Sequence, residues 1–417
     1  MRPSLNTPAH TTGLLAELVC SNSFKSLSVS SPTGRLKADL SLMDSLIMRE
    51  ALNCRVPAGK ALAVDRIKLG EAVTAAIEGE VNINLVRKEA PDIPEGYDNV
   101  IVATGPLTSA GMAESIAKLI GEDHLYFYDA IAPIVEADSI DMSIAFVQDR
   151  YGPEGEGDYL NLPMNRDEYE SFVKALIIAD AVEPAEFERK YYFDGCLPVE
   201  EIANRGADSL AFGPLKPVGL INPATGQRPH AVVQLRKETK DGDSYNLVGF
   251  QTKLKYQEQA KVFSKTIPGL AKAKFLRFGS LHRNTYVNAP SCLDIDLSLV
   301  NSPDVRLAGQ ITGVEGYVES VTTGLLAGLF TVGALLNSPV DAPPPDTTPG
   351  ALLNYITDKQ REKDFQPSNI NFSLFPPLER KIKNRKKRRS EILERAGISC
   401  RKWVEDMENR LSNRSLI

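Results

Sequence analysis

In "LKADLSLMDSLIMREAL", Leu36 to Leu52, apolar residues recur at helical spacing, and a second helix is expected from Asp65 onward. "VNINLV", Val81 to Val86, has the alternation of a strand. "YDNVIVATGP", Tyr97 to Pro106, is an apolar run halted by Thr-Gly-Pro, which predicts a buried strand stopped by a turn. A helix is expected around Arg166 to Ala181. A Gly/Pro-rich stretch from Phe212 to Pro229 then leads into strands at "HAVVQLRK" and "YNLVGFQT". Val305 to Phe330 reads as strand, glycine-rich turn and a helix of small residues starting near Val314. "SPVDAPPPDTTPG", Ser338 to Gly350, has the composition of a linker, and the remainder is mostly helical with a basic end. Strands and helices in this order predict an α/β fold without an internal repeat.

At 417 residues the chain has material for two or three domains, and its 42% hydrophobic and 24% charged content is that of an ordinary globular protein. There is no run of eighteen apolar residues and no charged-then-apolar leader pattern, so a cytoplasmic protein with no membrane partner is expected. The five cysteines, at 20, 54, 196, 292 and 400, form no CxxC pair, and there are four histidines. That pattern argues against a disulfide framework and against a metal site. The net charge of −6 conceals an asymmetry. Glu122 to Glu201 holds twenty acidic and five basic residues, whereas Gln251 to Arg283 holds eight basic residues and one acid, Glu258. Arg380 to Arg389 has eight basic residues in ten. Such blocks are either solvated faces or tracks for phosphates.

Glycines at 309, 313, 316, 324 and 328 let backbone amides approach a ligand, or let a helix pack closely on a sheet. A helix starting near Val314 would aim its positive end at a phosphate or a flavin pyrimidine ring. Together with "IVATGP", Ile101 to Pro106, this junction resembles the two-part nucleotide domain of the glutathione-reductase class of flavoproteins. Such a domain opens with a βαβ unit carrying Gly-x-Gly-x-x-Gly, and the start of this sequence has no such motif.

Longer strings sharpen the resemblance. "MRP", "TPAHTTGLLAELVCSNSFKS", "VPAGKALAVDR", "ATGPLTS", "LYFYDAIAPIVEADSIDM", "FDGCLPVEEIANRG", "FGPLKPVGL", "VGFQTKLKYQEQ", "LHRNTYVN" and "AGQITGVEGYVES" occur in this order. In them the chain resembles the folate- and flavin-dependent tRNA uracil methyltransferases. In that family "MRP" follows an acidic residue of the dinucleotide unit, so Met1 would match an internal methionine. Roughly thirty residues, about one βαβ unit, would then lie upstream. A misassigned start and a genuine loss both stay open, and a loss would leave a strand edge unpaired and weaken flavin binding.

The resemblance implies FAD as cofactor, with methylenetetrahydrofolate and NAD(P)H as co-substrates. The carbon would pass through a flavin adduct to uridine C5 in the T loop of tRNA. A ribosomal RNA target, a non-catalytic RNA-binding remnant and a flavin-dependent NAD(P)H oxidase are the alternatives. The family's two functional cysteines fall on Cys20 and Cys196, with Cys196 favoured as the group attacking uracil. Cys54, Cys292 and Cys400 are expected to be inert. His282, Arg283 and Asn284 are the folate candidates, and Gly309, Gln310, Thr312, Gly313 and Val314 are expected at the flavin. Lys253, Lys255, Lys386 and Arg388 are the RNA candidates. The expected organisation is a glutathione-reductase-type FAD domain in two parts, 1–110 and 296–340. An inserted mixed α/β domain, 111–295, would lie between them, and a linker with a helical basic extension, 341–417, would follow.

Overall fold

The computed structural model of the protein describes residues 10–121, 125–150, 152–153, 156–182 and 197–412. Two hydrophobic cores organise them. The chain builds part of the first core, leaves to form the second, and returns. The opening elements are β1 (Ser23–Ser26), α1 (Pro32–Leu42), α2 (Leu46–Asn53) and β2 (Arg55–Val56). They are followed by β3 (Ala61–Val64), α3 (Arg66–Glu78), β4 (Val100–Val102) and α4 (Ala110–Ile120). β1, β3 and β2 form a small antiparallel sheet.

Local chemistry sets these boundaries. The helical run from Leu36 to Leu52 becomes two helices because Asp44 turns left-handed (φ 49°) and Ser45 caps α2. Asp65 starts α3 by accepting from the Ile67 and Lys68 amides. Val81 to Val86, expected as a strand, is irregular. Val81 is 93% exposed, and among the described residues no strand lies beside this segment to complete a ladder.

The second body contains β5 (Leu125–Ala130), β6 (Ile134–Glu136), β7 (Phe146–Val147), β8 (Tyr159–Met164) and α5 (Arg166–Ile178). It continues through α6 (Val199–Asn204), α7 (Ser209–Phe212), β9 (Ala231–Lys237) and β10 (Ser244–Leu247). It ends with α8 (Tyr256–Thr266), β11 (Phe275–Arg277) and β12 (Leu281–Tyr286). Six strands make an antiparallel sheet in the order β11-β6-β10-β9-β8-β7. A capping box between Asn165 and Glu168 starts α5, whose Phe172 meets Phe250, which in turn meets Phe263 of α8. The chain leaves the first body along β5 and returns along β12. These two strands pair antiparallel, from Leu125 opposite Tyr286 to Ala130 opposite Leu281.

The return adds α9 (Ala289–Cys292), β13 (Ser298–Leu299), β14 (Ser302–Leu307) and α10 (Tyr317–Leu335). α11 (Thr348–Thr357) and α12 (Arg385–Ser412) complete the chain. β14 runs parallel to β4, Val305 opposite Val100. A parallel pair needs a long crossover, and the whole second body supplies it. α10 is long and apolar enough to cross a membrane by length and composition, but its Val318, Leu326 and Phe330 are buried in the first core. Of residues 341–417, expected as a linker and extension, Leu352, Ile356, Ile392, Ala396, Cys400 and Trp403 join that core. Buried Asp39 of α1 fastens them. It pairs with Arg35 at 2.7 Å and bonds to Thr348 of α11 and Cys400 of α12.

Candidate active site

A cavity of about 380 Å³ opens where the two bodies meet, at the N-terminus of α10. Ligand sites run from roughly 300 to 1,000 Å³. Cys20, Phe24 and Tyr317 of the first body face Ile131 and Gln251 of the second across it. The glycine-rich turn makes one wall. A 3₁₀ turn covers Gly309–Thr312, Gly313 and Gly316 follow at φ 80° and 112°, and α10 starts at Tyr317 with no side-chain cap. The first amides of the helix are therefore left without the usual side-chain acceptor. A Cβ at Gly316 would lie 2.5 Å from a Glu319 carboxylate oxygen, so only glycine keeps this approach open.

Arginines from three elements hold the loop that carries Cys20. Arg277 of β11 donates to the Cys20 carbonyl at 2.8 Å, and Arg66 of α3 to the Leu18 carbonyl at 2.8 Å. Arg236 of β9 donates to Ser21 Oγ at 2.8 Å and to Asn22 Oδ1 at 3.0 Å. Burial pulls the Arg277 guanidinium down to about 10, with Arg66 adding repulsion and Glu238 opposing it. The Cys20 amide donates to Tyr317 Oη at 2.9 Å. Burial, reinforced by the charge of Cys20, pushes the Tyr317 phenol far above its ordinary value, so it stays protonated at neutral pH.

Three more charged groups lie at or behind the cavity wall. Glu319 is buried and accepts from the Ile370 amide at 3.1 Å. Its burial raises the carboxyl, while Lys25 at the cavity wall pulls it back. Buried Lys37 donates to the Ser26 and Thr33 carbonyls at 2.8 and 3.1 Å. Burial lowers it to about 8, with Glu319 opposing the shift. Open helix amides, Lys25 and Gln310 provide donors, and Phe24, Leu107 and Val318 provide apolar walls. This set suits a flat heteroaromatic ring with one electron-rich edge, the chemistry of an isoalloxazine.

The family model described as "Glucose inhibited division protein A" matches residues 4–339. The "Methylenetetrahydrofolate--tRNA-(uracil-5-)-methyltransferase TrmFO" of Moorella thermoacetica is 52% identical over 396 residues, covering 95% of this chain and 90% of the relative. That of Natranaerobius thermophilus is 52% identical over 405 residues, covering 97% and 92%. The chain belongs to the TrmFO family. Aquifex aeolicus GidA has the same fold in two crystal forms. Their TM-scores are 0.61 and 0.63 at 14% identity, covering 95% of this chain and 70% and 72% of GidA. The fold is thus the α/β, glutathione-reductase-type arrangement with an insertion.

Of the residues singled out in the sequence, the cavity brings together Cys20, Asn284 and Gln310. Gln310 is oriented by Glu315, 2.6 Å away. Its neighbours are placed differently from expectation. Thr312 and Val314 are fully buried, with the Thr312 hydroxyl donating to the Gly309 carbonyl. Gly313 is backed by the Phe365 ring, and Gly309 donates its amide to Thr323. These four shape the turn and do not line the cavity. Two positive-φ glycines delay the helix from Val314 to Tyr317. Lys253 is also corrected as an RNA contact, since it is buried with its ammonium 2.8 Å from Glu201. Lys255 is exposed and meets Asp180 at 3.4 Å; Lys386 and Arg388 are exposed at the start of α12. Cys196 lies outside the described residues. So do the side chains of His282 and Arg283, whose backbone belongs to β12. Cys292 and Cys400 are buried, and burial raises the Cys54 and Cys400 thiols, which suits inert roles. Sequence reasoning missed Lys25, Tyr317, Glu319 and the three arginines.

Proposed function

We propose that the chain transfers a one-carbon unit from methylenetetrahydrofolate to C5 of a uridine in the T loop of tRNA, using FAD and NAD(P)H, in the cytoplasm. The observation carrying this reading is Cys20 on a cavity walled by the uncapped start of α10, in a chain of the TrmFO family.

Uracil C5 is too weak a nucleophile to take carbon unaided, and a thiolate added at C6 makes it enolate-like. We assign that attack to Cys196 and the role of second active-site thiol to Cys20. The α10 amides, with Lys25 and Gln310, would hold FAD, which when bound would supply the electrons from NAD(P)H that bring the methylene carbon to a methyl group. Arg66 and Arg277 surround the Cys20 loop with positive charge, which favours a thiolate. The Tyr317 hydroxyl keeps its proton and supplies a donor beside Cys20. Asn284 offers its amide to the folate from β12. Ile131 and Gln251 of the second body wall the cavity opposite Cys20, which limits its contact with water. The test uses methylenetetrahydrofolate deuterated at the transferred carbon, with FAD, NADPH and an unmodified tRNA transcript. Mass spectrometry should find deuterated 5-methyluridine; unlabelled or unmodified uridine at every position contradicts the reading.

A further inference from the structure

A groove of about 880 Å³ runs between the segment Phe372 to Lys381 and the first turns of α12. Of the eight Lys and Arg residues from Arg380 to Arg389, all except Arg389 are exposed. Two have partners. Arg380 meets Glu391 at 2.8 Å, and the Arg389 guanidinium lies 4.6 Å from the centre of the Phe372 ring. Among the described residues, Lys381, Lys383, Arg385, Lys386, Lys387 and Arg388 have no acidic group within ion-pair distance. Four of these open α12, whose first turn has no acidic residue, at the end where the helix dipole disfavours cations. The arrangement costs the folded chain stability unless an external anion offsets it.

The groove also lies next to the cavity. Asn369 lines the cavity and Phe372 lines the groove. Three residues of extended chain span at most about 11 Å. The Ile370 amide bond to Glu319 ties the connecting segment to the start of α10.

Building on the tRNA reading above, we propose that this groove, beside the cavity, holds backbone phosphates of the tRNA arm carrying the target uridine. The contact is electrostatic and reads no sequence. The test compares wild type with K381Q/R385Q/R388Q, three groove-lining cations, after thermal melts show the same Tm for both. Affinity for unmodified tRNA transcript should fall at least tenfold near 0.15 M salt. The slope of log K against log salt should become shallower by about three, at about 0.9 per phosphate. KM for tRNA should rise, while kcat and NADPH oxidation without tRNA stay unchanged. A hairpin of the target arm alone should show the same loss of affinity. Unchanged affinity and slope overturn the inference, and a loss confined to full-length tRNA overturns the placement beside the cavity. If wild type methylates tRNA and the variant binds equally well, this inference alone fails. If wild type neither binds nor methylates tRNA, the functional reading fails with it.

Discussion

Cys20 is half-buried, and the groups that govern it come from positions 66, 236, 277 and 317. The thiol was legible in the sequence because a long distinctive string surrounds it. Its partners were not, because an arginine in β11 and a tyrosine in α10 carry no local mark of meeting at one loop. Replacing Cys20 with Ala is expected to lower 5-methyluridine formation by at least a hundredfold while bound flavin, read from its absorbance, is retained. Lys37 gives a second residue-scale expectation. Its value falls from 10.5 to about 8 on folding, so between those pH values the unfolded chain binds more protons. Its contribution to stability therefore rises with pH across that window. In urea titrations, wild-type stability relative to Lys37→Met should increase from pH 8 to pH 10.5; a flat difference would remove the buried-ammonium account.

Two elements separate what local pattern reveals from what packing decides. The start of α10 was placed three residues early, because glycine content signalled a turn without stating how many residues would adopt positive φ. Gly316→Ala puts a Cβ into a left-handed position against Glu319, at a cost of about 1–3 kcal/mol. Flavin titration of this variant should show at least tenfold weaker binding. At the other end of the chain, the charge of Arg380 to Arg389 dominated the reading of a segment whose later turns are core. Ile392, Ala396, Cys400, Trp403 and Met407 already had the spacing of a buried helical stripe. Asp39→Ala would leave Arg35 without its partner beneath α12, with an expected loss of about 3–5 kcal/mol by chemical denaturation. A loss below 1 kcal/mol would show that the apolar stripe alone docks the helix.

On the scale of the whole molecule, the α/β class was visible in the order of strand and helix signals, and the insertion in the resemblance to a two-part flavoprotein domain. The contact between the two bodies was not visible. It depends on β5 pairing with β12 and on Arg236 and Arg277 reaching back to the loop after Leu18. Arg277→Met should therefore shift Cys20 alkylation to higher pH and reduce kcat/KM for tRNA more than tenfold. The central claim is spatial: the cavity beside Cys20 receives the flavin ring. Peptide mapping after timed iodoacetamide treatment, with and without saturating FAD, tests it most directly. The expected result is at least tenfold slower labelling of Cys20 with FAD bound and no change at Cys54. Equal Cys20 labelling in both samples would contradict the account.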